Sequence, residues 1–200
     1  MFSKIGYYFL ASFFFIIPLC ARDYIIEFKG AGFFPTNDCF KDIYGKSGAL
    51  WGPELTVQLC ENNDHWYGFA SIEYFQKKGH SIGLCDDTKV KLVPMALGFK
   101  YMQSLFCDRT AWYMGLGFQP VYVSTNNCSE YVLTKQSRWG FGGIAKGGTY
   151  IDLSCNFVLD LFVGYSFVKA GCKKVCTQNV VPLKVNVSGV IFGGGLGYRF

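Results

Sequence analysis

Beyond its opening segment the chain has no run of eighteen apolar residues, yet half of its residues are hydrophobic and only 16% are charged. A surface so poor in charge cannot face water on every side, and without such a run the mature chain cannot cross a bilayer as helices. What the sequence offers instead is alternation with a period of two, the mark of strands with one greasy and one non-greasy face. The last thirteen residues, Ser188 to Phe200, show it plainly. Val190, Phe192, Leu196, Tyr198 and Phe200 share one parity; Gly189, Gly193, Gly195, Gly197 and Arg199 share the other.

Seven earlier segments read the same way. Tyr24, Ile26, Phe28 and Phe34 oppose Asp23, Glu27 and Lys29 in a strand over Arg22 to Phe34; Trp51, Pro53, Leu55, Val57 and Leu59 oppose Glu54, Thr56 and Gln58. Trp66, Ala70, Ile72 and Tyr74 face away from Tyr67, Ser71 and Glu73, and Val93 to Tyr101 sets five apolar residues against Ala96, Gly98 and Lys100. The fifth carries Trp112 to Tyr122 against Tyr113, Gly115, Gly117 and Gln119, and the sixth sets Phe141, Ala145, Ile151 and Leu153 against Gly142, Lys146, Gly148 and Asp152. The seventh sets Phe157 to Phe167 against Asp160, Gly164 and Ser166. Pro53, Pro94 and Pro120 fall inside these strands, where each removes a ladder donor and leaves the local register open.

The connections alternate in length. Pro35–Ser47, Gln76–Thr88, Ser124–Arg138 and Lys169–Val187 are long and polar; Glu61–Asp64, Met102–Arg109 and Ser154–Asn156 are short. An even strand count, a greasy band and alternating long and short connections predict an all-β, eight-stranded antiparallel up-and-down transmembrane β-barrel over residues 22–200. A soluble barrel would turn its greasy face inward. The other face is glycine-rich, with about nine charges, too few for a water-soluble exterior.

The chain resembles the small OmpA- and OmpX-like outer-membrane barrels. Its Tyr198-x-Phe200 ending is similar to the terminal signature thought to be read by the outer-membrane assembly machinery. The resemblance implies insertion in the bacterial outer membrane, with lipid and that machinery as partners. Long loops would be external and both termini periplasmic.

The inward parity collects Glu27, Lys29, Glu54, Glu73, Lys100, Lys146, Asp152, Asp160 and Arg199. Eight strands enclose an interior just wide enough for side chains, so these charges must pair, and we expect a lumen plugged by an ion-pair network. Arg199 is the expected hub, because its guanidinium can hold carboxylates bidentately. The expected role is structural and adhesive, with a narrow porin-like channel as the alternative.

Eight cysteines follow the opening segment. Cys39, Cys85, Cys128, Cys172 and Cys176 fall in the long loops, and Cys60, Cys107 and Cys155 at the short turns. A spanning strand separates the two sets, so neither can pair with the other. Each set is odd, so each keeps at least one thiol, either free after internal pairing or used in a bridge between chains. In this the chain looks like the cysteine-rich outer-membrane proteins of obligate intracellular bacteria, whose envelopes are disulfide cross-linked; disulfide-linked envelope proteins or a host surface ligand are the partners this implies.

Residues 1–21 read as a secretory signal: Lys4, an apolar run from Ile5 to Leu19, and a cut after Ala21. The bulk of Leu19 argues against a lipoprotein cut before Cys20. The net charge of +5 is mild and scattered, which suits contact with acidic head groups or glycans and argues against nucleic acid. No cofactor or metal site is expected: Cys172 and Cys176 match no closed zinc pattern. The glycine-rich stretch Gly142–Thr149 falls short of a phosphate loop, because no Lys follows the second Gly of the pattern and no helix comes after it. Some barrels of this shape modify lipid A with a His and a Ser; here His65 lies by a short turn, and His80-Ser81 with Asp86 and Asp87 is the pair that would serve. Adjacent loop residues seldom share a productive geometry, and we expect no enzyme.

Overall fold

The structure, a computed structural model, describes residues 23–59, 65–80, 87–105, 109–127, 135–176 and 179–200. Residues 1–21, expected to be a secretory signal, lie outside them with Cys60, Cys85, Cys107, Cys128, Ser81 and Asp86, as do the side chains of Cys39, His80, Asp87, Cys172 and Cys176.

The strands are β1 Tyr24–Pro35, β2 Gly48–Gln58, β3 Trp66–Ile72, β4 Tyr74–His80, β5 Asp87–Leu105, β6 Thr110–Phe118, β7 Val121–Asn127, β8 Lys135–Asp152, β9 Phe157–Cys176, β10 Asn179–Asn186 and β11 Gly189–Arg199, with one helix, α1, at Asp38–Tyr44. Three pairs are single staves with a brief gap: β3 and β4 meet β5 in one continuous register, as do β6 and β7 with β5, and β10 and β11 with β9. That makes eight staves, all antiparallel, each hydrogen-bonded to its neighbour in sequence. The last, β11, pairs with β1 from Ile25↔Arg199 to Pro35↔Gly189. The ring therefore closes, and no edge is left to hydrogen-bond elsewhere. Among the described residues no helix is long and apolar enough to cross a membrane.

The prolines sit at or beside the gaps. Pro94 cannot donate, but its carbonyl accepts from Glu73 N at 2.9 Å, and the Pro120 carbonyl accepts from Met95 N at 2.9 Å. Pro53 stands opposite Phe28 without shifting the β1–β2 register. Closure in so narrow a ring also needs close backbone contact. A Cβ on Gly142 would strike the Phe167 carbonyl, and one on Gly98 the Leu116 carbonyl, so glycine serves there as a bend in the wall.

The outward parity is apolar and exposed: Phe99, Met114, Leu116, Phe118, Phe141, Val163, Phe192 and Leu196 are all more than half accessible. Rings bracket this band. At one end Tyr24 stacks on Phe200 at 4.7 Å, Phe157 meets Tyr198 at 5.2 Å, and Trp66, Tyr101 and Trp112 run in series at 5.5 and 5.8 Å. At the other, Trp51 meets Tyr74 and Tyr122 meets Trp139, each pair at 5.4 Å. Two aromatic girdles around an apolar belt are what a membrane-spanning barrel presents to lipid. Tyr24 and Phe200 mark the terminal end of the barrel; α1 and the β4–β5, β7–β8 and β9–β10 hairpins form the opposite, loop end.

The loop end differs from the sequence expectation. Pro35–Ser47 holds α1, capped by Asn37, whose Oδ1 accepts from Phe40 N, and stopped at Gly45 with φ 84°. Of Gln76–Thr88, Ser124–Arg138 and Lys169–Val187, much is strand: β4 runs to His80, β7 to Asn127 and β9 to Cys176. Likewise β5 runs to Leu105, into what the sequence suggests is a connection. Once two staves are in register their ladders continue past the apolar belt, where the outward face meets water and carries Gln76, Lys78 and Lys91 while Phe75, Val90 and Leu92 stay buried inside.

The candidate functional site is the barrel lumen

Alternation turns Glu27 and Lys29 of β1, Glu54 and Thr56 of β2, Lys100 of β5, Lys146 of β8 and Asp160 of β9 into the lumen, each 7% accessible or less. The ladders bring them level: Glu27 faces Glu54 across the β1–β2 pair, and Lys29 faces Gly195, whose missing side chain leaves room for the lysine stem. Lys29 Nζ lies 2.7 Å from Asp160 Oδ2, 3.1 Å from Glu54 Oε1 and 3.3 Å from Glu27 Oε1. Lys100 Nζ lies 2.6 Å from Glu54 Oε1 and 3.5 Å from Glu27 Oε1, and donates to Thr56 Oγ1 at 2.9 Å. Lys146 Nζ pairs with Glu54 Oε2.

Two tyrosines complete the layer. Tyr150 OH donates to Glu27 Oε1 at 2.8 Å and takes a bond from Lys100 at 2.7 Å; Tyr113 OH bonds Asp160 at 3.0 Å. The ammonium groups also rest on rings: Lys146 Nζ is 3.6 Å from the Phe69 centroid, and Lys100 Nζ 4.7 Å from that of Tyr113. Tyr113 and Tyr150 share the inward parity of Gly115 and Lys146, so strand periodicity alone carries the signal that places them here. Buried charges need such dense pairing, because each unpaired charge out of water costs several kcal/mol.

The centre of this layer is Glu54, which touches all three lysines, and not Arg199. Parity puts Arg199 on the inward side, but it stands beside the chain end at the terminal rim, where Nη1 meets Asp152 Oδ2 at 3.1 Å and Nε lies 3.9 Å from Asp23. So Asp152 and Arg199 form a separate rim pair, about a quarter exposed. Asp23 precedes β1; burial raises its carboxyl above the ordinary value, Arg199 pulls it back, and Asp152 raises it again. Glu73 is buried and lines a cavity of about 10 Å³ with Lys29, Glu54 and Lys146, close to the least space that holds one water.

Above the charged layer the lumen turns apolar. Phe33, Leu50, Phe75, Leu92, Val121, Val187 and Ile191 fill it around a cavity of about 20 Å³, with Gln119 and Ser166 hydrogen-bonded to each other at 2.5 Å. Helix α1 roofs this half: Phe40, 4% accessible, sits 6.5 Å from the Phe33 ring and 6.4 Å from that of Phe75. The sequence expectation of a charged, glycine-lined interior thus describes only the half nearer the termini.

No protein-family model matches the chain, and no curated protein matches it. Solved structures do. OprG of Pseudomonas aeruginosa superposes with a TM-score of 0.68 at 19% identity, covering 90% of this chain and 96% of that one. This chain has the fold of the small outer-membrane barrels. Escherichia coli outer membrane protein W gives 0.58 at 16%, covering 90% and 98%. Ail, the attachment invasion locus protein of Yersinia pestis, solved with the heparin analogue sucrose octasulfate, gives 0.55 at 16%, covering 89% and 98%.

The remaining candidates lie apart from the lumen. His65 is exposed at the terminal end, with Nδ1 3.1 Å from the Met102 carbonyl. His80 ends β4 at the loop end. Cys155 is a free, exposed thiol on the turn between β8 and β9, while Cys39 lies in α1 and Cys172 and Cys176 in β9. Tyr198 and Phe200 face outward at the terminal girdle, 36% and 53% accessible.

Proposed function

We propose that this protein is a sealed, non-enzymatic outer-membrane barrel, termini in the periplasm and loop end outside, which strengthens the envelope and makes contacts from its external rim. The observation that carries the reading is the lumen: three lysines and three carboxylates interlock across it, an apolar layer fills the space above, and α1 closes the top. A barrel occupied in this way has no water path for solutes, so its work falls to its surfaces.

The loop end is basic. Segments 36–47, 76–91, 124–138 and 169–187 hold twelve Lys and Arg against five Asp and Glu, a bias that raises the local concentration of acidic partners. Together with the polyanion bound by Ail, this favours sulfated or otherwise acidic glycans as the adhesive target. Cells displaying the protein are expected to bind immobilised heparin, more weakly as salt rises. Changing Lys173, Lys174 and Lys184 to Gln should lower that binding severalfold. Binding no better than that of cells without the protein, or undiminished in the variant, removes the adhesive reading.

Cys155 gives the envelope-linking part of the proposal a concrete thiol. With thiols trapped at lysis, unreduced gels should show species larger than the monomer that reductant collapses and that Cys155→Ser depletes. A monomer alone in both lanes would exclude cross-linking.

A further inference from the structure

We infer that the outward face of β4, β5 and β7 is a binding site for the phosphates of an anionic outer-leaflet lipid, held by Lys78, Lys89 and Lys91. The inference rests on the orientation proposed above. Register fixes the face in rows. Tyr74, Val93, Tyr122 and Trp139 align across β4, β5, β7 and β8, and they belong to the loop-end girdle. One step further from the belt the row is Gln76, Lys91, Ser124 and Ser137; the next is Lys78, Lys89 and Asn126. Girdle aromatics sit at headgroup level. At about 3.4 Å per residue, Lys91 lies about 7 Å beyond them along the strand and Lys89 about 14 Å, within reach of headgroup phosphates for side chains that extend toward the interface.

Among the described side chains the charge on this face has no acidic counterpart. Lys78 and Lys89 are direct cross-strand partners, an arrangement in which like charges repel. None of the ion pairs among the described residues engages Lys78, Lys89 or Lys91. The described side chains between and beside them, Gln76, Ser124, Ser137 and Asn126, are neutral groups able to donate hydrogen bonds. A phosphate seated among the lysines would meet two or three ammonium groups and these donors together. Its acyl chains would run down over the belt formed by Ile72, Leu97 and Phe99, each exposed. A phospholipid-anchored or glycolipid-anchored phosphate fits that combination; a soluble polyanion would use the lysines alone.

The test uses the full chain refolded in neutral detergent, with bisphosphorylated lipid A as probe and native mass spectrometry as readout. Retained lipid A is expected on the wild type, with affinity lower by about fivefold per lysine and on the order of a hundredfold in Lys78→Gln/Lys89→Gln/Lys91→Gln. Lys173→Gln/Lys174→Gln/Lys184→Gln, which removes equal charge elsewhere on the loop end, should bind as the wild type does. The proposal is overturned if the first triple variant keeps its affinity, if both variants lose it equally, if dephosphorylated lipid A binds as well, or if inositol hexakisphosphate competes fully at equal concentration. Unheated gel mobility separates the two levels of failure: a folded wild-type band that retains no lipid A sinks this site alone, whereas no folded band sinks the barrel reading with it.

Discussion

Glu54→Gln is expected to destabilise the folded barrel by about 3–5 kcal/mol, the cost of removing one partner from a buried ion pair. Glu54 is the acid shared by Lys29, Lys100 and Lys146. Its loss leaves three ammonium groups facing Glu27 and Asp160, with Lys146 deprived of its one carboxylate contact among the described residues. The amide of Gln restores a carbonyl acceptor and no charge, so repulsion among the lysines persists. Urea unfolding in lipid vesicles, followed by the loss of the fast-migrating unheated band, measures the effect. Glu54→Gln combined with Lys146→Met should recover part of the loss, because removing both members of a buried pair is far cheaper than removing one. A single variant within about 0.5 kcal/mol of wild type would show that the lysines are not held by this carboxylate.

The same layer explains which parts of the molecule could be read from sequence. Side-chain direction in a strand follows from parity alone, so Glu27, Lys29, Glu54, Lys100, Lys146 and Asp160 are all legible as inward residues, and Phe99, Leu116 and Phe192 as outward ones. Height is different. Parity places Arg199 in the lumen but says nothing of its level, and the register with Ile25 sets it at the rim, beside Asp152 rather than among the lysines. Tyr113 and Tyr150 carry the correct parity, but their hydroxyls matter only because the ring brings β6, β8 and β9 around the same axis.

The apolar upper lumen was hidden by the expectation of a polar interior. A wide barrel holds water and lines itself with polar groups, whereas one this narrow packs like a protein core. Phe33, Phe75 and Ile191 obey the second rule. Helix α1 was hidden for another reason: seven residues are too few to form a helix unaided. Phe40 gains its burial from rings on β1 and β4, contacts that cannot be inferred from Asp38–Tyr44. The hairpins beyond the girdle carry no greasy outward face, because that side is wet: Gln76, Lys78 and Lys91 point out while Phe75, Val90 and Leu92 stay buried inside. Their strands are set by ladders begun deeper in the wall.

The claim on which the rest depends is that the lumen is sealed, and planar-bilayer recording of the purified, refolded protein tests it most directly. In that proposal two independent layers close the path: the Lys29, Lys100, Lys146, Glu27, Glu54 and Asp160 cluster, and the apolar packing beneath Phe40. The account predicts insertion with no steady conductance above the bare membrane in wild-type protein. A large, steady open-channel current from the folded wild type would contradict it.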